Sequence, residues 1–356
     1  MDRQPAKFPI WSYELRETSR PPYASIPNRI GFAMKHHRRQ FLHLTAGAAI
    51  LLTLASYVWA EVYPEKPVNL IVTFPAGSGP DIIGRLAGQW LSERLGQQFV
   101  VENKPGFGGN IGTEYVVNSP ADGYTVLMPV STNAVNATLY PNLSFNFLHD
   151  IMPIAGIGKT PFVVVVPASF PVKTLLDFIA YAKANPGTIN MASGGIGSSP
   201  HVCGELLQIM TGIKLVHVPY RSNYMPDLLA GEVQVVFNPI AQALPLIRDG
   251  KLRALAVTTA KRAVALPDVP SIGEFVSGYD AFGWYGLGAP GKTPVEIINK
   301  LSNAMNNALA DPEAKARLAD LGVEPMPLTS AEFAKFVADE TDKWAKVIKS
   351  TGIKVQ

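Results

Sequence analysis

The apolar positions of the chain fall into short β-type runs, each passed by a turn of small residues to an amphipathic helix. The stretch from Val68 to Gly88 shows the unit most fully. Val68, Leu70, Ile71, Val72 and Phe74 form a run rich in β-branched and aromatic residues, the pattern of an interior strand. Pro75, Gly77, Gly79 and Pro80 break it. Ile82, Ile83, Leu86 and Ala87 then resume at helical spacing, with Arg85 and Gln89 on another face. Such a turn delivers a helix N-terminus, whose unpaired N–H groups and positive dipole end can hold an anion. Read alone, it is also the pattern of an ordinary strand-to-helix turn, with Asp81 as a cap or first-turn acid.

The unit recurs along the chain. The first helix runs to about Leu95 and ends at Gly96. Phe99 to Glu102 is a second strand, followed by the glycine-rich loop Asn103 to Asn110 and a helix from Thr113 to Val117. Tyr124 to Pro129 is a third strand, and Ser131-Thr132-Asn133 stands where the next helix begins. After a lead-in from Asp150 to Gly158, Phe162 to Pro167 is a strongly β run that could cross between lobes, and Thr174 to Ala184 is a helix. Ile189 to Ala192 is a strand, succeeded by the turn Ser193 to His201 (SGGIGSSPH) and a helix to Met210. Strands follow at Leu215 to Pro219, Val233 to Phe237 (delivering Asn238 to its end) and Leu252 to Val257. Trp284 to Ala289 reads as the return crossing. The remaining amphipathic segments, Pro294 to Leu309, Pro312 to Leu321 and Ser330 to Ser350, are helical.

Length and composition narrow the class. A chain of 356 residues exceeds one comfortable core, and 47% apolar content excludes a mostly disordered chain, so two lobes are expected. The net charge of +3 is carried by residues 1–60, with eight Lys/Arg against three Asp/Glu. The remainder holds 23 against 25, a balance of −2, and nothing in it suggests a nucleic-acid partner. Cys203 is the single cysteine, which rules out an internal disulfide.

The first sixty residues divide in two. Residues 1–33 carry Pro and Arg without periodicity, and read as a disordered segment or an upstream extension ahead of a start at Met34. Residues 34–60 have the pattern of a signal peptide: Lys35, Arg38 and Arg39, then a weakly polar-to-apolar run from Leu44 to Val58, then Val58-Trp59-Ala60 before a cleavage site near Ala60. The run is short for a membrane span, although an uncleaved anchor is the alternative. Arg38-Arg39-Gln40-Phe41-Leu42 also resembles a twin-arginine signal, which implies export after folding. Export places the protein in the periplasm.

Enzyme motifs compete with this picture and fall short. Gly106, Gly108 and Gly112 superficially match a dinucleotide fingerprint, but the later ribose-binding acid is absent at its spacing. Gly286 to Thr293 (GLGAPGKT) matches the phosphate-loop pattern literally. There Pro290 lacks an amide, and Thr293-Pro294-Val295-Glu296 reads instead as an N-cap, a first-turn proline and a capping-box glutamate. No G-x-S-x-G string occurs. Beyond residue 60 the histidines are His149, His201 and His217, none at metal-ligand spacing to another. No catalytic residue, metal or cofactor is therefore expected.

Several strings together resemble a known family. They are Tyr63-Pro64-Glu65-Lys66-Pro67, Phe74-Pro75-Ala76-Gly77, Val101 to Gly106 and Gly108 to Gly112. Further on come Asp122-Gly123-Tyr124-Thr125, His217-Val218-Pro219-Tyr220-Arg221 and Leu266 to Pro270. In this order, over essentially all of residues 62–356, they resemble the Bug family, the tripartite tricarboxylate transporter substrate-binding receptors of bacterial periplasms. The resemblance implies an α/β, two-lobed periplasmic-binding-protein fold (type II), its two α/β lobes joined by crossover strands. Residues 61–162 plus 284–356 would form lobe 1, and 163–283 lobe 2. It implies a receptor that closes on a small organic carboxylate, gripped by backbone amides and ordered waters rather than by an arginine. The implied ligand-facing positions are Phe74, Ala76, Gly77, Ser78 and Asp81 in the first turn, and Thr132 and Asn133 after the third strand. The second lobe adds Ser193, Gly195, Gly197, Ser198, His201 and Asn238. The sequence departs from the family pattern where His is common at Asn133 and Asp at Asn238, and Ser222 to Asp227 is about two residues short. A monomer is expected, with a membrane permease or sensor as partner.

Overall fold

The computed structural model describes residues 63–220 and 223–354; the expectations for residues 1–60, and Arg221, lie outside the described residues. In chain order the elements begin with β1 (Val68–Val72), α1 (Gly79–Leu95), β2 (Phe99–Asn103), α2 (Asn110–Val117) and β3 (Thr125–Met128). Next come α3 (Ser131–Leu139), the single turn α4 (Phe147–Asp150), the long β4 (Ile151–Pro167), α5 (Leu175–Ala184) and β5 (Asn190–Ser193). They continue with α6 (Ser199–Thr211), β6 (Val216–Pro219), α7 (Met225–Ala230), β7 (Val235–Pro239), α8 (Ile240–Arg248) and β8 (Leu252–Val257). The last are β9 (Phe282–Pro290), α9 (Val295–Ala310), α10 (Pro312–Asp320), β10 (Glu324–Pro325) and α11 (Ser330–Thr351).

β1 is buried on both faces because it has parallel neighbours on both sides, β2 and β3, and helices over them. α1 stops where Gly96 takes a left-handed conformation (φ 72°) and returns its N–H to Ser92 O. β9 runs antiparallel between β3 and β4. In the other lobe β5 lies parallel to both β6 and β7. β4 belongs to both lobes. Residues Ile151 to Pro161 pair with β9, whereas Phe162 to Pro167 pair with β7 on one side and β8 on the other. β4 thus starts eleven positions before the β run at Phe162 that the apolar pattern marks. Pro153, Gly156 and Gly158 disguise its first half, and they sit where the register shifts at irregularities between Pro153/Ala155 and Gly156/Gly158.

α11 packs on α3, β4 and α6, and so touches elements of both lobes. Trp284 on β9 lies with its ring centroid 5.7 Å from those of Phe333 and Phe336 on α11. Fully burying an aromatic side chain of this kind contributes about 1.5–3 kcal/mol.

Two local readings are corrected. Thr293 does not cap α9. Its hydroxyl and its N–H both donate to Pro290 O, at 2.8 and 2.9 Å, which closes a tight turn, and Pro294 is the N-cap. Gly286 to Pro290 lie within β9, paired with β4, and Gly291 to Thr293 form the turn after it, so the phosphate-loop string is a strand end and its turn. Asn238 is also not at a free strand end. It lies inside β7 opposite Val163.

Candidate functional site

β1 and β3 are parallel neighbours, with Val72 opposite Met128, so the turns after them open at one edge of the sheet. In the other lobe Ser193 is opposite Pro219 and Ala192 opposite Val236, which brings the turn after β5 beside the end of β7.

The first turn is held from below by Asp81, which is only 3% exposed. Its carboxylate accepts from Gly77 N–H (2.8 Å), Arg85 Nε (3.0 Å) and Asn103 Nδ2 (2.9 Å), and pairs with Arg85 Nη2 at 3.0 Å. Burial alone would raise its pKa. The hydrogen bonds from Arg85, Gly77 and Asn103, with the Arg85 charge, outweigh burial and hold the carboxyl below its ordinary range. Above this strut Ala76 and Gly77 are exposed, Gly77 at φ 79°. Ser78 is the N-cap of α1, but its hydroxyl donates to Pro75 O at 2.6 Å. Phe74 is half-buried and packs on the core of its own lobe, its ring beside Gly109.

At the start of α3, Asn133 is also turned inward. Its Oδ1 accepts from Val130 N–H (2.9 Å) and its Nδ2 donates to Thr113 Oγ1 (2.9 Å). Thr132 differs: its hydroxyl is buried and has no partner among the described residues.

The second turn is fastened by two imidazoles. Ser193 Oγ lies 2.6 Å from His217 Nε2 and accepts from Gly195 N–H at 3.1 Å. Gly197 N–H donates to His201 Nδ1 at 3.0 Å, and His201 Nε2 faces Glu205 Oε1 at 3.4 Å. The two rings stack with centroids 3.6 Å apart and 12° between planes. Burial first, and His201 second, push the pKa of His217 down to about 3. Ser198, the N-cap of α6, donates to Gly195 O at 2.8 Å. Asn238 is fully buried, and Tyr224 Oη donates to its Oδ1 at 2.6 Å.

The two lobes meet where α3 and α6 begin. Ser131 Oγ and Ser199 Oγ, on the first residues of those helices, are 2.7 Å apart. Gly197 lies against α3 so closely that a Cβ there would sit 2.4 Å from Leu139 Cδ2. The structure therefore brings Thr132, Gly197 and Ser198 to one place. It leaves Asp81, Asn133, Ser193, His201 and Asn238 as inward-facing neighbours. The residues the sequence reading did not place at the site are Ser131, Ser199, Arg85, Asn103, Glu205 and His217. Their spacing carried a signal in two cases, Arg85 at i+4 from Asp81 and Glu205 at i+4 from His201.

A cavity of about 120 Å³ between α1 and α10 is lined by none of these turn residues. Among the described residues no group of three or more His, Cys, Asp or Glu could hold a metal ion, and no helix is long and apolar enough to cross a membrane.

Two α/β lobes joined through crossing strands, with helix N-termini facing each other across the junction, define a solute-binding protein of the periplasmic type. Residues 83–353 match the sequence model for the tripartite tricarboxylate transporter family receptor, and the chain belongs to that family of solute receptors. BugT of Bordetella pertussis is 35% identical over 310 residues, covering 85% of this chain and 94% of BugT. The solved structure of R. palustris Rpa4515 with adipate is 34% identical, with a TM-score of 0.74 over 82% of this chain and 99% of that one. MatC from Rhodopseudomonas palustris with bound malate is 28% identical, with a TM-score of 0.70 over 80% and 100% of the two chains.

Proposed function

We propose that the protein is an exported receptor whose lobes, 61–162 with 284–356 and 163–283, close on a small organic carboxylate lacking an amino group. The observation that carries this reading is the meeting of α3 and α6. Two helix N-termini approach each other there, with the Ser131 and Ser199 hydroxyls 2.7 Å apart and Thr132 Oγ1 unpartnered among the described residues beside them. First-turn N–H groups and two positive dipole ends at one point favour an anion between them. No Lys or Arg lies in either turn, so the grip is one of backbone and hydroxyl donors. The exposed Gly79 at the start of α1 supplies a further backbone donor from the first turn.

An ammonium would need an anionic partner. Asp81 is saturated by Arg85, Asn103 and Gly77, and Asn238 is sealed beneath Tyr224. The adipate and malate of the two solved relatives carry carboxylates and no amine, which agrees with this class. Residues 34–60 would direct the protein to the periplasm, where a permease or sensor would receive the loaded, monomeric receptor.

A serine and an imidazole 2.6 Å apart also suggest hydrolysis. Ser193 is 0% exposed and its hydroxyl is engaged within its own turn, so a substrate carbonyl has no path to it. Calorimetry with adipate, malate, succinate and aspartate tests the receptor reading. The four-carbon diacid should bind at least ~10-fold more tightly than its amino counterpart, because an unpaired buried ammonium costs several kcal/mol. Tighter binding of aspartate would overturn the amine-free class, and steady turnover of a simple ester would overturn the receptor reading.

A further inference from the structure

His217 and the half-buried Glu205 have no part in gripping a carboxylate directly, yet His217 bonds the second turn and Glu205 faces the imidazole that bonds its other end. Ser193 opens that turn and Gly197 precedes its helix. One imidazole holds each: His217 Nε2 at Ser193 Oγ (2.6 Å), and His201 Nδ1 at Gly197 N–H (3.0 Å). The rings come from different elements, β6 and α6, and are stacked at 3.6 Å, so each packs directly on the other. The backbone takes positive φ at Gly195 (120°) and Gly197 (78°), conformations that glycine adopts freely and other residues rarely do, so the side chains around the turn decide where its amides point.

We propose that His201 and His217 are positioning residues, a stacked pair of neutral imidazoles that sets the backbone donors of the turn 193–198 for the ligand; this rests on the receptor reading above. The proton placement follows from the bonds. A backbone N–H aimed at His201 Nδ1 requires a lone pair there, so the ring proton sits on Nε2 and faces the Glu205 carboxylate. Glu205 is the charged group that faces the pair among the described residues; it selects the tautomer that leaves Nδ1 free. A proton on His201 Nδ1 would oppose the Gly197 N–H and release that end of the turn.

Three measurements test this on the mature protein. Nitrogen NMR of the wild type at pH 7 should show His201 protonated on Nε2 alone; a proton on Nδ1 would overturn the proposal without any variant. Amide exchange on the ligand-free protein should show Gly197 protected in the wild type. The protection should be lost in His201→Phe, which keeps a stacking ring, and largely recovered in His201→Asn, whose side-chain oxygen replaces the Nδ1 acceptor. Adipate affinity should follow the same order, falling roughly 3- to 10-fold in His201→Phe and in His217→Phe, as the loss of one hydrogen bond predicts. An unchanged affinity in both Phe variants, or no rescue by Asn, would overturn the positioning role. Failure of the wild type to bind any carboxylate, with the exchange pattern intact, would instead count against the receptor reading and leave the imidazole support standing.

Discussion

His217 is half-buried against a second imidazole, and both circumstances favour its neutral form. Its pKa in the folded chain is about 3, against 6.5 for an ordinary histidine, so between those values the unfolded chain binds the proton and the folded one does not. Its contribution to stability is therefore complete above pH 6.5 and is lost as the pH falls toward 3. Urea midpoints at pH 7, 5 and 4 should drop steadily in the wild type and less steeply in His217→Gln; equal slopes would refute the assignment. At this scale the sequence marks polar groups but not the direction in which they turn. Asp81, Asn133 and His201 are polar groups at helix starts, where a ligand would be met, and Asn238 lies inside β7. Each turns its polar atoms into its own lobe. Asn103 and Thr113, which engage Asp81 and Asn133, lie 22 and 20 positions away, and Tyr224 lies 14 from Asn238. Local patterning cannot register partners at that range. Gly77 and Gly197 likewise looked equivalent. The structure separates them, since a side chain at Gly77 meets open space and one at Gly197 meets Leu139.

β4 shows the limit at the scale of an element. Its second half, Val163 to Val166, is an unbroken apolar run and was legible as a crossing strand. Its first half carries Pro153, Gly156 and Gly158, the residues that usually announce a loop. The glycines are there because the segment around β10 crosses close by. A Cβ on Gly156 would stand 2.6 Å from Met326 O, and one on Gly158 2.5 Å from Val323 Cγ1. Gly156→Ala should thus cost about 1–3 kcal/mol, since main chain rather than a pliable side chain has to give way. Urea unfolding would measure it, and a neutral result would mean that β10 packs less tightly than described. The strand-turn-helix units were the most legible elements. Their strands are buried and their helices amphipathic, so the period of the apolar positions changes at each turn.

For the whole molecule, the two-lobed architecture could be read from the order of these units and from the family motifs, but the contact between lobes could not. Ser131 and Ser199 are 68 positions apart and neither stands out among neighbouring small polar residues. Their bond favours the closed form. Changing both to Ala should remove about 1 kcal/mol, roughly fivefold in the ratio of closed to open molecules. Small-angle scattering of the ligand-free double variant should show a larger radius of gyration, restored by saturating adipate, and an unchanged profile would rule the bond out as a determinant of closure. The course of β9 has a consequence in time as well as in space. Leu127 lies opposite Gly288 and Ile151 opposite Pro290, so the first lobe lacks an internal strand until the ribosome has made residues near the far end of the chain. Synthesis at about 5–20 residues per second leaves that gap open for many seconds. The earliest-made part of the protein waits, unfinished and threadable, for a strand that comes almost last.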